Sequence, residues 1–274
     1  MWTPEQCRKY RDSGERYPSD LTDAQWETIA PLLSVYHPLT ANLREMVNGC
    51  LYHEKTGCQW RFMPREFGPS GTVRYWHDRF RRDGLWIDVS ALLLRAVRRH
   101  EGRPAEPATV ILDSQSVVAG PQKGERGVDG HKKIKGIKRH VLTCSLGFVI
   151  GVLVTPANVH DTAAAGRLLD RVVEDGWRPQ RVKVDGIYTG ERMDAAAARH
   201  ALEVQIATRP KDIREFMPLP LRWKIEATFG TQTNRYRHLT RDLTQSPTAA
   251  EDAIWLTNAH RLIRKYHRAK ESIV

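Results

Sequence analysis

The chain has 274 residues, 41% hydrophobic and 27% charged, with a formal net charge of +11. That length and composition describe a globular protein able to bury a sizeable core, and exclude a disordered or fibrous one. The excess charge is uneven: residues 1–106 carry 16 Lys/Arg against 14 Asp/Glu, and residues 107–274 carry 27 against 18. A polyanionic partner suits such a balance, though membranes and acidic proteins would also satisfy it, and the excess lies in the second part.

Taken in order, the first segment, MWTPEQCRKYRDSGERYPSD, is polar and lacks the apolar stretch of a signal peptide. Thr22 and Gln25 have capping-box spacing, and Trp26, Ile29, Ala30 and Leu33 then recur at helical spacing, which predicts a helix over 23–33. A second helix is expected over 41–55 with Gly57 as its stop. A third begins after Ser70, with Val73, Trp76, His77 and Phe80 inward and Arg74, Arg79, Arg81 and Arg82 outward. A fourth spans 86–100. Residues 1–103 thus read as an all-helical domain, and GRPAEP at 102–107 as a linker. The functional reading of that domain is a small DNA-binding module, helix-turn-helix-like; the plain one is a helical cap on the rest of the chain.

From Thr109 the pattern changes to strands: 109–113, then 138–146 and 148–154 as an antiparallel pair turning at Gly147. A helix over 161–174, capped by Asp161 or Thr162, a strand over 181–185, a helix over 191–200, a strand over 202–208 and a helix carrying Glu226 complete an α/β order with a mixed sheet. A last helix is expected over 248–266, packed on the sheet with Arg261, Arg264 and Lys265 exposed. The longest apolar run, 141–154, is too short to cross a membrane and Gly147 interrupts it. The four cysteines have no zinc-type spacing, so neither a zinc module nor a disulfide framework is expected, and a reducing cytoplasm is the default.

Three acids stand out. Asp113 and Asp185 end predicted strands and Glu226 lies in a predicted helix; three carboxylates brought together are a place to hold a hard divalent ion for phosphoryl transfer. The stretches YPSDLTDAQWETIAPLL, TGCQW, DSQSV, HKKIKGIKRH, TPANVHD, VDGIYTG and RWKIE with the following RYRHL, spread over residues 17–265, resemble the DDE transposases of bacterial insertion sequences, specifically insertion-sequence family five. The resemblance implies a ribonuclease H-like mixed sheet with flanking helices over 107–274, preceded by the helical domain. It implies catalysis and metal binding by Asp113, Asp185 and Glu226 with Mg²⁺, for which Mn²⁺ substitutes. It implies cleavage of the element's ends and their joining to target DNA.

The implied partners are double-stranded DNA, as terminal inverted repeats and as target, and a second copy of the chain, in a bacterial cytoplasm at the nucleoid and with no membrane. Lys132, Lys133, Lys135, Lys138 and Arg139, with Arg222, Arg235 and Arg237, are the expected DNA contacts; in 155–161, His160 and Asp161 could form a metal or acid–base pair, but the structural reading is preferred, with Asn158 and Asp161 shaping the turn and cap. The chain departs from the family pattern at Ile187, where a second glycine is common, at Ala227, where Arg is, and at Leu219 and Thr233, which replace the Tyr and Lys of a related signature. A left-handed backbone at Ile187 would be strained. Competing readings are a catalytically decayed or host-adopted DNA-binding protein, a housekeeping nuclease without end specificity, and a covalent mechanism through Ser114 or Tyr188.

Overall fold

The computed structural model describes residues 3–4, 16–121, 123–207 and 222–271. Its first helix, α1 (Asp23–Leu33), starts at the anticipated capping box: the Thr22 hydroxyl accepts from the Gln25 N–H and the Gln25 side chain accepts from the Thr22 N–H. Helix α2 (Leu43–Thr56) is capped by Asn42, whose side-chain oxygen accepts from the Arg44 and Glu45 N–H groups, and ends at Gly57 with φ 66°. Helices α3 (Ser70–Arg82) and α4 (Leu85–His100) follow. Helices α2 and α3 cross closely at Gly49, where a Cβ would stand 2.7 Å from Val73 Cγ1. Their connection holds two 3₁₀ turns, Trp60–Phe62 and Arg65–Phe67, and Phe67 is buried against the rings of Tyr17 and Tyr52. It is a packed segment, unlike the short turn of a helix-turn-helix pair.

Among the described residues six strands form one mixed sheet: β1 (Thr109–Val118), β2 (Gly127–Asp129), β3 (Ile134–Cys144), β4 (Val149–Pro156), β5 (Arg181–Val184) and β6 (Glu203–Ile206). Strand β3 pairs antiparallel with β1, β2 and β4, while β5 is parallel to both β1 and β6, so the sheet runs β2-β3-β1-β5-β6, with β4 also paired to β3. A meander of three strands continued by two parallel strands through helical crossovers is the ribonuclease H-like arrangement the resemblance implied. The crossovers are α5 (Asp161–Glu174) and α6 (Glu191–Arg199).

Strand β1 does not stop at Asp113. It runs five residues further because β3 goes on pairing with it as far as Val118↔Gly136. The cap of α5 is His160, whose Nδ1 accepts from the Thr162 N–H, in place of Asp161 or Thr162.

Helix α7 (Arg222–Arg235) packs against β1, and α8 (Pro247–Glu271) packs along α4 and β4. Among the described residues strand β4 pairs only with β3, and side chains satisfy its outer backbone groups. Asn258 donates to and accepts from Val149, Glu251 accepts from the Val154 N–H, and Arg171 donates to the Val152 carbonyl. Unpaired edge groups would otherwise be buried without partners, and this is what seats α8. Arg261 is not exposed as expected: it donates to the Gly147 carbonyl at 3.1 Å and lies over the Phe148 ring. One continuous apolar core joins α1–α4 to the sheet and α8, and Lys265 bridges to Glu101 at 2.5 Å. Cys50, Cys58 and Cys144 are free thiols. No helix among the described residues is long and apolar enough to cross a membrane.

Candidate active site

The parallel register of β1 and β5, Val110↔Val182 and Ile111↔Lys183, continued by two residues sets Asp113 beside Asp185. Strand β5 ends at Val184, so Asp113, inside β1, falls at the point where its parallel neighbour stops and the sheet opens. Each carboxylate is oriented locally. Asp113 Oδ1 accepts from the Ser114 N–H at 2.7 Å, and Asp185 Oδ1 accepts from the Ile187 N–H at 3.0 Å, capping a 3₁₀ turn over Gly186–Tyr188. Ile187 does not have a positive φ, so the side chain replacing glycine there causes no backbone strain.

Both half-buried aspartates line a cavity of about 510 Å³, together with Ser114, Asp129, Lys132, Lys138, His160 and Asp161. Four carboxylates face two ammonium groups in this wall, two negative charges in excess. A set of carboxylate oxygens with that excess suits a hard divalent cation. Asp113 and Asp185 are therefore the residues that would hold it. Glu226 is exposed on α7, the helix packed on the strand that carries Asp113; among the described residues it is not part of this cavity wall. The buried Ile225, Thr228 and Phe229 anchor that helix, and the Thr228 hydroxyl donates to the Gly147 carbonyl at 2.7 Å. Ala227 is exposed, and the Thr233 hydroxyl donates to the Phe229 carbonyl within the same helix; Leu219 lies outside the described residues.

Three charged residues of this wall had no assigned part at the site: Asp129, Asp161 and, as a fixed rather than free cation, Lys138. The Lys138 ammonium is buried, 3.3 Å from Asp161 Oδ1, 3.9 Å from Asp129 Oδ2 and 3.1 Å from the Val159 carbonyl. Burial alone would raise the Asp129 carboxyl, but the N–H of Lys132, the Ser116 hydroxyl, the N–H of His131 and the charge of Lys138 draw it down to about 2. Buried His140, bonded to Thr155 at 3.0 Å, is lowered to about 4 by desolvation against the pull of Asp161, and is neutral. Tyr188 lies fully buried, its hydroxyl making no hydrogen bond among the described residues. Burial, then the charges of Asp113, Asp161 and Asp185, push its phenol well above the ordinary range, which disfavours the phenolate a nucleophile would need.

The expected DNA contacts divide. Lys132, Lys133, Lys135, Arg235 and Arg237 are exposed. Lys138 is not a free surface cation, for the reasons above. Arg139 is a further correction: it is buried and donates to the Leu239 carbonyl at 2.7 Å, with desolvation lowering it to about 10. Both faces of β3 are covered, so neighbouring residues that a half-exposed strand would turn to opposite sides are buried alike. Arg222 begins α7, and its side chain lies outside the described residues.

Fold and site together define a ribonuclease H-like protein with paired aspartates where the parallel pairing of β1 and β5 ends. The family model described as "Transposase DDE domain" matches residues 104–262, more than half of the chain, and a second, of a transposase of IS4/5 family, matches residues 21–92. The chain belongs to the DDE transposases of IS4/5 type. No curated protein matches it. Among solved structures it is similar to the catalytic domain of Mos1 mariner transposase, at 14% identity over 68% of this chain and 91% of that one with a TM-score of 0.33. It is also similar to the Mos1 transposase paired-end complex with left transposon end, at 12% identity over 98% and 92% with a TM-score of 0.28. These likenesses are remote and add nothing to the family match.

Proposed function

We propose that this transposase cuts the ends of its own insertion sequence and joins them to target DNA by metal-dependent phosphoryl transfer, with Asp113, Asp185 and Glu226 as the carboxylates. The observation that carries the reading is the β1–β5 register, which sets Asp113 beside Asp185 at a cavity with an excess of negative charge, in a chain of this family. Mg²⁺ or Mn²⁺, when bound there, would lower the pKa of the attacking water or hydroxyl and offset charge on the leaving oxygen. The protein's part is to hold two carboxylates in fixed directions through the Ser114 and Ile187 N–H groups, and to keep Tyr188 beneath them as a dry, neutral floor. Glu226, exposed on the helix packed against β1, would serve as the third acid.

Exposed Lys132, Lys133, Lys135, Arg235 and Arg237 would meet DNA phosphates, and residues 1–103 would recognise the terminal repeats. Two chains would bridge two ends, in a bacterial cytoplasm. Asp113→Asn and Asp185→Asn should each abolish Mg²⁺-dependent nicking of terminal-repeat DNA while leaving DNA affinity within a few-fold of the unmodified chain. Retained nicking in either variant would remove that residue from the site. Arg74→Ala with Arg82→Ala, on the exposed face of α3, should reduce the preference for terminal-repeat over scrambled DNA; an unchanged ratio would return these helices to a structural role.

A further inference from the structure

Away from the paired aspartates, α2 meets the turn that follows α7. Glu54 is completely buried there, one residue from His53, and the 3₁₀ turn over Arg237–Thr240 delivers His238 to it. His238 Nδ1 lies 2.9 Å from Glu54 Oε2, and His53 Nδ1 lies 3.4 Å from Glu54 Oε1. The potential ligand atoms of these three residues all lie within 4.8 Å of one another. Four-coordinate zinc with bonds of about 2.0–2.1 Å separates its ligand atoms by about 3.3 Å, so these three are already near the spacing such an ion requires.

A fourth imidazole is poised beside them. His77 Nε2 lies 3.9 Å from Glu54 Oε1, too far for a hydrogen bond, and neither buried ring nitrogen of His77 has a hydrogen-bond partner among the described residues. The rings are held from outside: Trp60 stacks on His53 at 4.0 Å, and the Asp78 carboxylate stands 3.8 Å from His77 Nδ1, where an outer carboxylate orients a ligating imidazole. Behind them Asp252 is buried with its Oδ2 unbonded. A cavity of about 460 Å³ opens onto the group, giving an ion a way in and room for a water ligand. None of its lining residues is shared with the aspartate cavity.

We propose that His53, Glu54 and His238, with His77 completing the set, form a zinc-class divalent cation site that ties the end of α7 to α2. Imidazole nitrogen with one carboxylate favours zinc-like ions, whereas the all-carboxylate pair at Asp113 and Asp185 favours hard ones. The site is independent of the cleavage reading. Its consequence is mechanical: His53 and Glu54 belong to the N-terminal helices, while His238 follows the helix that carries Glu226, so an ion here would fix the far end of that helix.

The test uses the full chain, freed of metal with a chelator and kept in excess Mg²⁺ to occupy the carboxylate pair. Titration with Co²⁺ should give the visible absorption of a four-coordinate ion, saturating at one per chain and abolished by Zn²⁺. Zn²⁺ should also raise the melting temperature by several degrees. His53→Gln and His238→Gln, whose amides can still bond to Glu54, should each lose both signals, and Asp113→Asn should keep them. Absence of the Co²⁺ signal in the unmodified chain overturns the proposal. So does its survival in both histidine variants, or its loss in Asp113→Asn, which would move the ion to the aspartates. The unmodified chain and Asp113→Asn decide the matter even if a histidine variant fails to fold.

Discussion

Replacing Lys138 by Met tests whether the aspartate cavity depends on a buried cation. In the folded chain the ammonium is 3.3 Å from one carboxylate oxygen and 3.9 Å from another, and it donates to a backbone carbonyl. At an effective dielectric of about 20 the nearer pair attracts by about 5 kcal/mol, and desolvation of both partners offsets part of this. Methionine keeps the length of the stem but leaves Asp129 and Asp161 uncompensated. Breaking a buried pair in this way costs about 3–5 kcal/mol, and because the cavity is open to solvent the expected loss is about 2–3 kcal/mol in urea unfolding. Adding Asp161→Asn should recover most of it, since the second change removes the charge that the first stranded. The cavity's excess of two negative charges becomes three in the single variant, so divalent affinity measured by calorimetry should rise. A destabilisation below about 1 kcal/mol, the level of exposed ion pairs, together with unchanged divalent affinity, would refute the reasoning.

Changing the exposed Lys132, Lys133 and Lys135 together to Gln should lower the slope of log affinity against log salt on duplex DNA by about 2.7, at about 0.9 per phosphate contact; an unchanged slope in a fluorescence titration would make them solvated loop residues. Stability should also depend on pH through Asp129. Its folded carboxyl, at about 2, lies below the ordinary 3.8, so its contribution is complete above pH 3.8 and is lost as pH falls towards 2. Asp129→Asn should flatten the acid limb of the unfolding curve; an acid limb unaltered by the change would mean that Asp129 is not so perturbed.

Local chemistry was legible wherever it acts over a few residues. The Thr22–Gln25 pair sets the start of α1, Gly57 supplies the left-handed residue that stops α2, and the first and last residues of α5 follow from its pattern. The order of Asp113, Asp185 and Glu226 along the chain, with the motifs around them, was enough to identify the family. Strand pairing lay beyond that reach. How far β1 continues past Asp113 depends on β3, and only the β1–β5 register sets the two aspartates side by side.

Burial was the other thing decided by tertiary packing. Lys138 and Arg139 read as one basic run with Lys132, Lys133 and Lys135, yet β3, covered on both faces from Gly136 onward, holds them inside, while the turn before it and the exposed start of the strand leave the other three in solvent. His53, Glu54 and His238 show no motif spacing, because residues so far apart in the chain meet only when α7 packs on β1 and its following turn closes on α2. Sequence patterns encode neighbours along the chain, and these groups are neighbours only across it.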